Sequence, residues 1–298
     1  MRSTLSVRFI SFFAFVAAGY ILWGTPVIAQ EKIKEKDKSY AKHYKEKAFC
    51  AGDNWSNGDK VSFKEAREAT IPASGSINVD SGRNGGISVK GENRSDILVR
   101  ACVNGWAATD EAARALVAGV RIDTAGGTIK ADSANEENWS VSFEVLVPRN
   151  TNLNLRAHNG GIAIKSVEGT IEFETTNGGV SVSDLAGSVK GRTTNGGVNV
   201  ALTGNGWKGS GMEVVTTNGG VNLTVPETYA ANFETGTTNG GFKSDVPSLN
   251  VEQEDNVGKT DHWQRSKRVR ASMNGGGANI RVVTTNGGIR IGSSGRVL

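Results

Sequence analysis

Histidine, cysteine, proline and aromatic residues are all scarce in this chain. Three His and two Cys stand among 298 residues. His43, His158 and His262 are too scattered for a recognisable zinc motif, so no metal is expected. Five Pro and 7% aromatics leave few strand breakers and few bulky core residues. A formal charge of +4 is too small and too dispersed for the basic stripe of a nucleic-acid binder. There is no Walker loop and no G-x-S-x-G elbow, and no nucleophile stands beside a base. Gly204-Asn205-Gly206-Trp207-Lys208-Gly209 matches G-x-G-x-x-G, but a Thr-rich β segment follows where a helix should begin. No cofactor is expected. Beyond the N-terminal run there is no long hydrophobic segment.

Glycine, in contrast, is abundant at 39 residues, and much of it is repeated. Thr-Thr-Asn-Gly-Gly begins at Thr175, Thr193, Thr216, Thr237 and Thr284. Shorter Asn-Gly-Gly copies sit at Asn84, Asn159 and Asn274. Such recurrence marks a repeat architecture in which one short unit stacks on the next. Aligned on the asparagine, aliphatic residues alternate with polar ones on both sides. Ile171, Val189 and Met212 precede it, with Glu172, Lys190 and Glu213 between the apolar positions. Val180, Val198 and Val221 follow it, then Val182, Val200 and Leu223, with Ser181, Asn199 and Asn222 between. Period-2 alternation reads as a strand with one face buried.

Each unit is therefore a strand, an Asn-Gly-Gly corner at Asn84, Asn159, Asn177, Asn195, Asn218, Asn239 or Asn286, and a second strand. Asn and Gly tolerate positive φ, which suits a corner. The pattern predicts an all-β chain: a parallel β-solenoid (β-helix) of about eight rungs, right-handed by crossover preference. The alternative is a β-sandwich of hairpins, since Asn-Gly is also a strong hairpin signal. In a solenoid the inward threonines could form a hydroxyl ladder and the asparagines an amide ladder.

Residues 1–29 read as a signal peptide. Arg2 and Arg8 start it, Phe9 to Trp23 is apolar, and Val27-Ile28-Ala29 offers a cleavage site before Gln30. The run is short for a spanning helix, so no transmembrane segment is expected after processing. Residues 30–48 form a Lys/Glu spacer, and 49–298 a single β domain with regular repeats over 150–298. Cys50 and Cys102, an even pair in an exported chain, suggest a disulfide. In the chain-entropy model it stabilises by roughly 4 kcal/mol.

Before residue 150 the pattern is less regular. Thr109 to Val117 predicts a short helix with Thr109 as N-cap, and Ala125-Gly126-Gly127 a degenerate corner. Two insertions interrupt the later units, 203–211 and 247–272. They carry Trp207, Lys208, His262, Trp263, Arg265, Lys267, Arg268 and Arg270, an indole-and-cation set suited to a sugar or an anionic polymer. The plain alternative is a decorated loop whose Trp covers a core edge. Asp184 and Asp245 are the only acids placed for carbohydrate chemistry on such a scaffold, and no matching partner identifies a two-carboxylate site.

The Asn-Gly-Gly repeats, the helix and the export signal together resemble the bacterial "putative adhesin" β-strand-repeat family, a family of unknown function. The likeness covers roughly residues 75–295. It implies an extracytoplasmic β-solenoid and brings no catalytic residues. The expected function is a non-enzymatic, exported protein that presents a surface for adhesion or envelope interaction. Its partner is expected to be an envelope polysaccharide or a protein. A periplasmic scaffold for another protein is the alternative, and a carbohydrate-active β-helix enzyme ranks below both.

Overall fold

The computed structural model describes residues 49–50, 56–57, 59–246 and 267–294. The chain divides into two units, Met1–Ala48 and Phe49–Leu298. The signal-peptide and spacer readings lie outside the described residues, as do His262, Trp263 and Arg265.

Alternation yields strands almost throughout. In chain order they are β1 (Ser56–Asn57), β2 (Lys60–Pro72), β3 (Ser76–Asp80), β4 (Ile87–Glu92) and β5 (Asp96–Ala107). Helix α1 (Asp110–Gly119) follows, then β6 (Arg121–Asp123), β7 (Thr128–Asp132) and β8 (Trp139–Pro148). The repeat region supplies β9 (Asn152–Ala157), β10 (Ile162–Lys165), β11 (Glu168–Thr175), β12 (Val180–Ser183), β13 (Ala186–Asn195) and β14 (Val198–Ala201). It ends with β15 (Gly211–Asn218), β16 (Val221–Val225), β17 (Ala231–Asn239), β18 (Phe242–Ser244), β19 (Lys267–Met273), β20 (Asn279–Asn286) and β21 (Ile289–Ser293).

These strands form two mixed sheets, of eleven and ten strands. At each stacked Asn-Gly-Gly the chain leaves the ten-stranded sheet and enters the eleven-stranded one. The corners therefore do not close hairpins. Like residues pair in parallel register: Val180 with Val198, and Val198 with Val221. In the facing sheet Leu153, Ile171, Val189 and Met212 align in the same way. Those aliphatics are almost fully buried between the sheets. Each stabilises by about 1.5–3 kcal/mol relative to exposure, before the entropy of ordering is counted.

Two departures matter. Among the described residues there are seven two-strand rungs, and their spatial order is not their chain order. The C-terminal rung β20–β21 lies between β15–β16 and β17–β18. Strand β19 then pairs antiparallel with the far side of β17, so β17 is held between β19 and β20. Residues 267–272, expected in an insertion, are thus part of a sheet.

The other end turns antiparallel beyond β8 and β7, which themselves join β4 and β3 in parallel. Strands β8, β5, β2 and β1 extend the larger sheet beyond β4, and β7 and β6 pair antiparallel at the edge of the smaller one. Ala125-Gly126-Gly127 is accordingly a turn between paired strands rather than a corner, with both glycines at positive φ. Helix α1 has Thr109 as its N-cap, accepting from the Ala112 amide at 3.2 Å. Arg67 donates to the carbonyls of Val117 and Val120 at its C-terminus, where a cation meets the negative end of the helix dipole. Cys50 and Cys102 form a disulfide that ties residue 50 to β5.

Candidate functional site

The corner column is the most ordered polar feature of the described residues. Asn159 donates its side-chain amide to Asn84 Oδ1 at 3.0 Å, and Asn177 to Asn159 at 2.8 Å. The chain of donors continues through Asn195, Asn218, Asn286 and Asn239 at 2.7–2.8 Å. The amide ladder is therefore real and runs through all seven rungs. The threonines behave differently from expectation. Thr175, Thr193, Thr216, Thr284 and Thr237 each donate to the carbonyl of a corner glycine one rung away, at 2.7–2.8 Å. They bond across rungs to the backbone, not to each other.

Positive φ is not what the stacked corners need. None of the ladder asparagines adopts it, and of their glycines only Gly85 does, at 143°. The first glycine of each corner is needed for close approach. A Cβ on Gly178 would collide with the Gly160 carbonyl, and one on Gly196 with that of Gly178. Asn274-Gly275-Gly276 is a different object despite its identical sequence. Asn274, Gly275, Gly276 and Gly277 all have positive φ, and together they carry the chain over the start of β17 from β19 to β20. The Asn274 amide holds this crossover by donating to the carbonyls of Glu227 and Tyr229.

On the outer face of the smaller sheet the rung order sets the charges. The column reads Glu172, Lys190, Glu213, Arg281, Glu234, Arg270. Signs alternate only because Arg281 enters between two glutamates that are consecutive in the repeat. Its Nη1 lies 2.7 Å from Glu213, and its Nε 3.4 Å from Glu234. At the edge, Arg268 and Arg270 approach Glu234 only loosely, at 3.8 and 3.9 Å. A depression of about 380 Å³ opens here, with Asn232, Glu234, Arg270, Ser272, Asn279 and Arg281 among its lining residues.

A family model described as Toastrack DUF4097 matches residues 51–291. The chain belongs to this family. This Toastrack chain also resembles solved structures at low identity. A "putative cell adhesion protein" from Clostridium sporogenes is 9% identical, with 78% of this chain and 100% of that one covered, at a TM-score of 0.38. A "putative adhesin" from Bacteroides fragilis is 10% identical, with 78% and 97% covered, at 0.33. A "putative lipid binding protein" from Parabacteroides distasonis is 12% identical, with 79% and 97% covered, at 0.22. No curated protein matches the chain.

The expected binding residues of the Toastrack chain separate. Arg268 and the backbone of Lys267 lie on edge strand β19. Trp207 is half-buried against the core, and its Nε1 donates to the Gly187 carbonyl at 3.0 Å, as a core-edge cover does. Asp184 sits at a return corner with positive φ and accepts from Ser166 and Thr203, both at 2.7 Å. Burial pushes its pKa up, but the Thr203 and Ser166 hydrogen bonds and the nearby Arg149 outweigh this and hold it below the ordinary value. Asp245 pairs with Arg290 and Lys243. Four rung steps separate the two acids, roughly 19 Å, which is too far for a glycosidase pair. Among the described residues, no cluster of His, Cys, Asp and Glu could hold a metal, and no helix is long and apolar enough to cross a membrane. Sequence reasoning named Arg270 with the 247–272 set but missed that Glu234 and Arg281 lie beside it. Their outward phase was legible, but their neighbours depend on the rung order.

Proposed function

We propose that this chain is an exported, non-enzymatic Toastrack protein whose stacked rungs form one flattened right-handed coil. The coil presents a rigid surface for adhesion or cell-envelope interaction. One observation carries the reading: a hydrogen-bonded, continuously packed stack ends in an arginine-bearing edge, as a scaffold holding a binding surface does. The Cys50–Cys102 disulfide fits an oxidising compartment, in line with the export-signal reading of residues 1–29. The wide separation of Asp184 and Asp245 supports the non-enzymatic part.

Cell fractionation with protease treatment of whole cells locates the mature protein. Retention on isolated envelope material then tests contact. We expect an extracytoplasmic, retained protein that releases no reducing ends from polysaccharides. A cytoplasmic location, or steady release of reducing ends, overturns the reading. A scaffold role for another protein is the second reading. It is favoured by β18, a three-residue edge strand with β21 on one side and no described strand on the other.

A further inference from the structure

We infer that the depression between β17, β19 and β20 is a binding site for an acidic polysaccharide, with Arg270 in its lining and Arg268, two residues along the same strand, holding its oxyanions. This rests on the envelope-binding reading above and names the chemistry of its ligand.

Guanidinium donors outnumber the acids at this edge. Glu234 lies within 4 Å of three guanidinium groups. Arg281 engages it by hydrogen bond and also holds Glu213. Arg268 and Arg270 come no nearer than 3.8 Å, make no side-chain hydrogen bond among the described residues, and are more than half exposed. A guanidinium presents five N–H donors in a planar fork that matches a carboxylate or phosphate. Two such forks, at alternate positions on the same face of one strand, reach only Glu234 among the described residues, and neither hydrogen-bonds to it. Set against Glu213 and Glu234, the three guanidinium groups leave one net positive charge at this edge, so Glu234 does not saturate it.

The rest of the lining selects a sugar beside that anion. Asn232, Ser272 and Asn279 are uncharged hydrogen-bonding groups. Ser272 Oγ donates to Asn232 Oδ1 at 2.7 Å, and Asn232 Nδ2 donates to the Gly277 carbonyl at 2.8 Å. This internal bonding fixes the amide and leaves it one free N–H for a ligand hydroxyl. A volume of about 380 Å³ falls at the small end of ligand sites. Because the depression lies at the margin of the sheet, it accepts a unit within a longer polymer.

Isothermal titration of the purified mature chain tests this with three probes: a galacturonate hexamer, a phosphorylated mannose oligosaccharide, and an uncharged galactose hexamer. Both charged probes should bind at low salt and weaken as salt rises, with the neutral one at least tenfold weaker. The tighter of the two charged probes identifies carboxylate or phosphate as the natural oxyanion. The R268Q/R270Q variant keeps Arg281 and its pairs. It should lose about tenfold in affinity for charged probes at unchanged Tm. Equal binding of charged and neutral probes, or an unaltered R268Q/R270Q, overturns the site. Envelope retention that survives R268Q/R270Q overturns this inference and leaves the envelope reading standing. Binding of acidic oligosaccharide by a protein not retained on envelope does the reverse.

Discussion

The middle of the stack and its C-terminal end use the same Asn-Gly-Gly sequence for opposite purposes. At Asn177 the tripeptide is a corner with ordinary backbone angles, and its glycine is required because another backbone lies against it. At Asn274 it is a crossover in left-handed conformations, with open space where a Gly275 side chain would go. One is limited by contact and the other by φ. A tripeptide that permits both states does not choose between them; the neighbouring strands do.

That contrast can be broken most forcefully at the glycines. Gly178→Ala drives a methyl into the Gly160 carbonyl and should cost about 3 kcal/mol or more in urea unfolding. Gly179→Ala places its Cβ 3.5 Å from the Gly197 carbonyl, an ordinary contact, and should fall within about 1 kcal/mol of wild type. Gly275→Ala meets no atom but must hold φ near 90°, for a loss of about 1–2 kcal/mol. Equal losses at Gly178 and Gly179 would refute the close-approach account.

The crossover should also respond to alkali. Tyr229 lies beside it, and burial pushes its phenol up to about 12. A raised pKa gives stability that is present below the ordinary value near 10 and lost as pH rises toward 12. Wild type should lose about 2 kcal/mol over that window. Tyr229→Phe should lose less, which parallel denaturant titrations at pH 9 and pH 12 will show.

Rung order is tested by charge. R281E sets three carboxylates on consecutive rungs and should cost about 1 kcal/mol, with E213R/R281E recovering part of it. No recovery would show that the pairing plays no part in placing the rung. The smallest effect belongs to a return corner of the regular stack. The Asp184 pKa is lowered, so its contribution is present above the ordinary carboxylate range and fades as pH falls through the folded value. Asp184→Asn should lower Tm slightly at pH 7 and converge with wild type in acid. A gap that persists in acid would assign the effect to packing instead.

Much was legible from local chemistry. The cap at Thr109, the inward columns such as Val180, Val198 and Val221, and the asparagine ladder each follow from side-chain phase and hydrogen-bonding type. Gly191 pairs with Phe173 in register, and the Phe173 ring occupies the space a side chain at Gly191 would take. The arginine edge was only half legible. Arg268 and Arg270 stood out by composition, whereas their neighbours Glu234 and Arg281 needed the pairing.

What the sequence alone determined is the unit: two strands, a corner that admits a second backbone, and a face to bury. Those properties reside within some twenty consecutive residues. The tertiary structure decided which unit lies beside which. Every rung offers the same hydrogen-bonding edge and the same aliphatic phase, so local chemistry leaves the order of neighbours degenerate. The crossover at Asn274 and the placing of Arg281 between Glu213 and Glu234 select one order among them.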